Sequence, residues 1–263
     1  MAKSQTIIHK LLGAVMKREV QEFGVDIDPF GPRYRWGTPE NKETVVRLIE
    51  EQYPVNHGDV ICYGPSNITF WYSLEKDMLP YHAQNHGMGG CTDIDLIEYA
   101  PRVLYPYEPS AVIIQTGSND IASGIPLEEI LKRKKEMYDL FLSKMPTAKL
   151  IVCSGLPLPG RMRYWNATEK TNRLLKELCE SDERLYFLDA TAAMMTDKGK
   201  KRYRSDNGRY FNPDYYRMDK IHLNKKGHDV WTGLMKEALE ALGVPKGGAI
   251  ETPDVPKGEA AKA

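Results

Sequence analysis

Short apolar runs and longer amphipathic stretches alternate along most of the chain. Asp59-Val60-Ile61-Cys62-Tyr63 is mostly apolar and stops abruptly at Gly64-Pro65-Ser66. A run of that length between turn residues suits a strand buried on both faces. Residues Asn67 to Lys76 then read as a helix. Tyr81 to Gln84 reads as a short second strand, ended by Asn85-His86-Gly87-Met88-Gly89-Gly90. Thr92 and Asp95 suit the cap and third position of the helix that follows. A third strand, Ser110 to Thr116, ends at Gly117-Ser118-Asn119-Asp120. Pro126 opens a long helix with Leu127, Ile130, Leu131, Met137, Leu140 and Phe141 as apolar positions. Lys149 to Cys153 and Arg184 to Leu188 are the fourth and fifth strands, with a helix from Asn166 to Glu180 between them. A last helix spans Asn224 to Leu242.

Ahead of the first strand, Ile8, Leu11, Leu12 and Val15 share one helical face. A turn-rich connector, Asp26 to Pro32, follows. Thr38-Pro39 then opens a helix, since Thr is a good cap and Pro suits the first helical position. Its apolar positions are Val45, Val46, Leu48 and Ile49. Strands separated by helices at this spacing imply βαβ units and a parallel sheet. With right-handed crossovers, the expected fold is α/β, a three-layer α/β/α sandwich. The expected organisation is an N-terminal helical extension over residues 1–56, a domain over 57–242 and a disordered tail over 243–263. The tail is rich in Gly, Pro, Ala and Lys, a composition that buries little apolar surface.

Composition narrows the function. Lys plus Arg and Asp plus Glu balance at 36 each, so global charge gives no reason to expect nucleic acid or an anionic membrane as partner. No window reaches the roughly 18 apolar residues of a membrane span. His9 and Lys10 interrupt the N-terminal apolar run, which makes a poor signal peptide. Cys62 and Cys153 both fall in predicted strands. With another strand between theirs, the backbones stand roughly 9–10 Å apart, too far to bridge. Buried thiols in a reducing, cytoplasmic setting are the simpler expectation. Asn67-Ile68-Thr69 is formally a glycosylation sequon; a glycan there would obstruct its neighbour Ser66.

The candidate chemistry sits where the strands end. Ser66 follows the first strand and precedes a helix, a place where open α/β sheets bind ligands. It is a candidate nucleophile, although Ser is also a common helix cap. The glycine-rich turn after the second strand lets backbone approach a ligand closely. Asn119, after the third, offers an amide donor. Asp219-Lys220-Ile221-His222 sets a carboxylate three residues before an imidazole, so that Asp219 can orient one ring nitrogen while the other faces Ser66. The joint order of these elements is the signal, because each alone is commonplace.

This set resembles the SGNH hydrolases, also called the GDSL esterase/lipase family, over roughly residues 59–240. The matching motifs are Gly64-Pro65-Ser66 with Trp71 following, Asn85 through Gly90, Gly117-Ser118-Asn119-Asp120, and Asp219-Lys220-Ile221-His222 followed by Leu223-Asn224 and Gly227-His228. The resemblance implies a flavodoxin-like five-stranded parallel sheet of order 2-1-3-4-5. It also implies an ester hydrolase that needs no metal or cofactor. In that reading Ser66 is the nucleophile, His222 the general base and later acid, and Asp219 the residue that holds its tautomer. The oxyanion is bound by the backbone N–H groups of Ser66 and Gly90 and by the Asn119 side chain. One departure stands out: Pro65 occupies the place of the family's usual Asp.

The expected partner is a small-molecule ester, with acetylated sugars first and short-chain lipid esters next. Trp71, His86, Arg161, Arg163 and Trp165 are the candidate substrate-binding residues. Of these, Arg161, Arg163 and Trp165 sit on Pro159 to Trp165, a loop that overhangs the expected site. With Lys200 to Arg204, this loop suits an anionic or sugar-bearing substrate. Lys132-Arg133-Lys134-Lys135 reads as a solvated helix face, and His228 as a surface or packing residue. Two other classes fit the same motifs: an acyltransferase using the same triad, and a catalytically silent carbohydrate-binding module.

Overall fold

The computed structural model describes residues 13–247. Five parallel strands form one sheet in the order β2-β1-β3-β4-β5, the expected topology. They are β1 (Val60–Gly64), β2 (Ala83–Gly87), β3 (Ala111–Ile114), β4 (Lys149–Cys153) and β5 (Leu185–Leu188). Side chains alternate across a strand with period two, and both faces are covered here. Val60, Cys62, Ala111, Ile113, Ile151 and Cys153 face one apolar layer. Ile61, Tyr63, Val112, Ile114, Leu150 and Val152 face the other. The first layer is closed by α1 (residues 13–21), α3 (Ser66–Thr69), α4 (Leu74–Met78) and α10 (Lys225–Ala241). The second is closed by α2 (Pro39–Gln52), α5 (Asp93–Val103), α7 (Leu127–Lys144) and α8 (Trp165–Glu180). Short α6 (Ser118–Ala122) and α9 (Thr191–Met194) complete the helices, and β6 (Met195–Thr196) pairs antiparallel with β7 (Tyr210–Phe211).

Local signals explain several boundaries. Thr38 caps α2 by accepting from the Asn41 N–H, and Thr92 with Asp95 forms a capping box on α5. Asn224 caps α10 through the Gly227 N–H. The four cysteines are free and buried, and β3 separates the strands of Cys62 and Cys153.

Other expectations are corrected. The single helix over 67–76 is two short helices, α3 and α4. The Asn85 amide donates to the carbonyls of Ile68 and Trp71, and Arg217 donates to that of Phe70. With those carbonyls satisfied by side chains, the helix has no need to propagate. The second strand lies further along than Tyr81 to Gln84: Asn85, His86 and Gly87 pair with Cys62, Tyr63 and Gly64. β2 is an edge strand, and its outward carbonyls at Asn85 and Gly87 accept from the Arg33 guanidinium at 3.0 and 2.7 Å. That contact blunts an edge otherwise open to strand addition. The domain also runs past residue 242, since Val244 is buried in the first apolar layer. The rest of the expected tail from residue 248, and Ile8, Leu11 and Leu12, lie outside the described residues.

Lys134 overturns the reading of 132–135 as wholly solvated. Its side chain is fully buried, with Nζ 3.1 Å from Asp93 Oδ1. Thr116 Oγ1 donates to the same oxygen at 2.7 Å, and the Asp93 N–H faces Asp120 Oδ1. Helical spacing turns this one lysine inward while its neighbours point out. Burial and the nearby Asp93 charge push the Asp120 carboxyl well above the usual carboxylate range.

Removing one partner of a buried ion pair leaves a bare charge, at about 3–5 kcal/mol. Lys134→Met should therefore lower the unfolding free energy by about that amount in urea titration. Adding Asp93→Asn should recover most of the loss. An unchanged single variant would show that the pair is not part of the folded core.

Candidate active site

The carboxyl ends of the strands bring three distant segments together. β1 ends at Gly64, where a Cβ would lie 2.2 Å from the Gln115 carbonyl oxygen. Only glycine lets β1 pass so close to the end of β3. Pro65 then leads into α3, and its carbonyl accepts from the N–H groups of Ile68 and Thr69. Pro65 therefore serves as the turn into the helix, a role for which its missing N–H is no handicap. Ser66 opens α3.

Residues 217–223 form a tight loop before α10. Asp219 Oδ1 accepts from the backbone N–H groups of Ile221 and His222 at 2.8 and 2.9 Å. Lys220 sits in the left-handed region at φ 59°, where an L-residue costs of order 1 kcal/mol. This backbone strain lies between Asp219 and His222. Asp219 Oδ2 lies 2.6 Å from His222 Nδ1, and His222 Nε2 lies 2.8 Å from Ser66 Oγ. A carboxylate, an imidazole and a hydroxyl thus stand in one hydrogen-bonded line. Burial alone would raise the Asp219 carboxyl. The His222 ring and the two backbone N–H groups outweigh it and hold the carboxyl at about 2. The Phe70 ring meets the imidazole edge-on, with centroids 4.9 Å apart.

Residues that sequence reasoning missed hold this loop against α3. The Asn67 side chain accepts from the Leu223 N–H at 2.9 Å. The formal sequon is therefore buried and engaged. Arg217 is buried, and its guanidinium donates to the carbonyls of Leu223 and Phe70 while facing the rings of Phe70 and Tyr72. His228 is fully buried, and its Nε2 lies 2.9 Å from the Asn67 carbonyl. No spacing pattern marks an isolated arginine on a loop. Asn67, adjacent to Ser66, carries in the sequence only the signals of a sequon and of a helix start.

Gly90 lies on the turn after β2, and Asn119 in α6, which follows β3. Gly90 is exposed at φ 94°, and a Cβ there would lie 3.3 Å from the Trp36 ring. Trp36 comes from the N-terminal connector, where its sequence context carried no signal. Asn119 Nδ2 donates to the Cys91 carbonyl at 2.9 Å.

The expected substrate-binding residues divide. Arg161 is half-buried and donates to the Ser118 carbonyl at 2.9 Å and to Asn119 Oδ1 at 3.1 Å. Arg163 is exposed and stacks on Tyr164. Trp165 is a correction: it is 5% exposed and packs edge-on against Phe211 in a satellite cluster. Trp71 is another, fully buried, stacked on His228 and Trp231 and donating to Asp77. His86 is the third, fully buried on β2 between Tyr53 and Tyr107, with ring contacts to Val103 and Gln84. Trp71 and His86, with no exposed surface, cannot meet a substrate, and Trp165 keeps little. Among the described residues, no group of three or more His, Cys, Asp or Glu side chains is placed to hold a metal ion. None of the described helices is long and apolar enough to cross a membrane.

Burial holds both His86 and His228 at about 3, below the ordinary imidazole value. The unfolded chain binds these protons near pH 6.5, so stability is full above that pH and declines as pH falls toward about 3. Urea titrations from pH 7 down to pH 4 should show this loss. His228→Gln should be less stable at pH 7 and have a shallower acid slope. An unaltered slope would mean that His228 is not buried neutral.

Several solved structures share this fold. A GDSL-like lipase from Bacteroides thetaiotaomicron has a TM-score of 0.59 at 18% identity, covering 75% of this chain and 97% of its own. A carbohydrate esterase family 3 structure from Talaromyces cellulolyticus has a TM-score of 0.52 at 18% identity, covering 70% and 97%. The C-terminal catalytic domain of peptidoglycan O-acetyltransferase A from Streptococcus pneumoniae has 0.51 at 16%, covering 72% and 96%. At these identities the likeness is one of fold. No curated protein sequence matches the chain significantly. The GDSL-like Lipase/Acylhydrolase family profile matches residues 58–230, a span that holds β1 to β5 and the loops bearing Ser66, Gly90, Asn119, Asp219 and His222, and the chain belongs to that family.

Proposed function

We propose that the protein is a serine esterase that hydrolyses small acyl esters through an acyl-enzyme. The hydrogen-bonded line from Ser66 through His222 to Asp219 carries this reading. A serine hydroxyl is a weak nucleophile until a base takes its proton. His222 Nε2 receives that proton as Ser66 Oγ attacks the acyl carbon. Asp219 accepts from Nδ1–H, fixes the tautomer and stabilises the imidazolium. The carbonyl oxygen becomes an oxyanion facing the N–H groups of Ser66 and Gly90 and the Asn119 amide. Donors so aimed are worth about 3–4 kcal/mol each in other enzymes. His222 then returns the proton to the leaving alcohol. Water, activated by the same imidazole, releases the acyl group and regenerates Ser66.

The site is open to solvent, with the His222 side chain 23% exposed and that of Asp219 44%. Access for water favours hydrolysis over transfer to another alcohol. The half-buried Trp36 ring beside Gly90 offers an apolar face of the kind that sugar rings stack on, which supports acetylated carbohydrate as the first substrate class.

Assays with p-nitrophenyl esters test this. Ser66→Ala should lower kcat on the acetate by at least about 10³-fold. Rates should decline from acetyl to octanoyl esters. Equal rates for wild type and Ser66→Ala would support the silent module instead. A preference for octanoyl esters would exclude the short-acyl assignment.

A further inference from the structure

We infer that Arg161 is a positioning residue: its guanidinium fixes which way the Asn119 carboxamide faces and so aims an Asn119 N–H at the acyl oxygen. This rests on the ester-hydrolase reading above and gives Arg161 a role other than substrate contact.

A carboxamide has one acceptor oxygen and two N–H donors on nitrogen. Here Asn119 Oδ1 accepts from Arg161 at 3.1 Å, and Nδ2 donates to the Cys91 carbonyl at 2.9 Å. Flipping the amide would set its NH₂ against the guanidinium and its oxygen against the Cys91 carbonyl, two repulsive contacts in place of two bonds. Both ends therefore select the same orientation. With one N–H engaged by Cys91, the other is left for an incoming oxygen. Arg161 is itself anchored on the Ser118 carbonyl at 2.9 Å and Ser118 Oγ at 3.3 Å. A guanidinium stays charged in proteins, so this lock does not titrate with the reaction.

The backbone extends the argument. The N–H of Gly160 donates to the Lys220 carbonyl at 2.7 Å. A Cβ on Gly160 would lie 2.8 Å from the Asp219 carbonyl oxygen. Two adjacent residues therefore join the loop that carries the acid and base to the loop that carries the amide donor. The spacing between proton acceptor and oxyanion donor is set at residues 160–161. All three contacts come from one guanidinium nitrogen, Nη1, which ties Ser118 and Asn119 to a single donor.

A double-mutant cycle on p-nitrophenyl acetate tests the inference. Arg161→Ala should lower kcat about 10- to 100-fold, the penalty of a misplaced catalytic group, and leave KM within about twofold. Its affinity for a boronic acid that forms a tetrahedral adduct with Ser66 should fall by the same factor. In an Asn119→Ala background, Arg161→Ala should change kcat by less than about twofold, because the two act as one unit. Free guanidinium should restore part of the lost kcat. An undiminished effect in the Asn119→Ala background would overturn the inference, as would an effect confined to KM for anionic esters. If Arg161→Ala fails to fold by circular dichroism, Arg161→Met carries the same cycle. Full activity in Ser66→Ala would instead sink the hydrolase reading first, and this inference with it.

Discussion

His222 stands over the Ser66 hydroxyl because buried polar groups weld together two segments 156 residues apart in sequence. The sheet brings both to the same edge, but that alone does not align an imidazole to within a hydrogen bond. Alignment comes from Asn67 on the Leu223 N–H, from Arg217 on the carbonyls of Leu223 and Phe70, and from His228 on the Asn67 carbonyl. These groups are shielded from water. Losing one partner leaves the other unsatisfied, at about 1–3 kcal/mol each. The loop pays for its tight Asp219–His222 geometry with a left-handed Lys220, and this strain persists because its surroundings are over-determined.

The turns bearing Gly90 and Asn119 are held by charge. Lys134, Asp93, Thr116 and Asp120 lie buried beneath the turns that present Gly90 and Asn119. Asp93 starts α5 just after Gly90 and Cys91, while Asp120 directly follows Asn119, so their contact joins the two turns at their roots. Arg161 grips the same turn from above. The turns bearing Gly90 and Asn119 are therefore braced from two sides, whereas the Asp219–His222 loop is fixed mainly against α3.

Much of this was legible in the sequence. The alternation of apolar runs with amphipathic stretches is imposed by burying a parallel sheet on both faces, so the architecture could be read from it. Ser66 and Asn119 were marked by their places after β1 and β3, because a parallel sheet collects those ends on one edge, and Asp219 and His222 by their spacing of three. What stayed hidden depends on tertiary partners. The break between α3 and α4 is made by Asn85 and Arg217, which are distant in sequence. Lys134 read as surface because its neighbours are charged, and only its rotation on α7 turns it inward. Trp71 and His86 carried the right chemistry for a pocket, yet the strand and helix that bear them point both into the core. Trp36 comes from a connector with no periodicity to announce it.

The central claim is that Ser66 is activated by His222 within one connected line. Covalent trapping addresses it without any choice of substrate. The protein is incubated with a fluorophosphonate, and the product is read by intact mass and peptide mapping. The account predicts a single adduct, on Ser66, whose formation nearly ceases in His222→Gln while the fold is retained. No adduct on Ser66, or one that forms equally fast in His222→Gln, would contradict it.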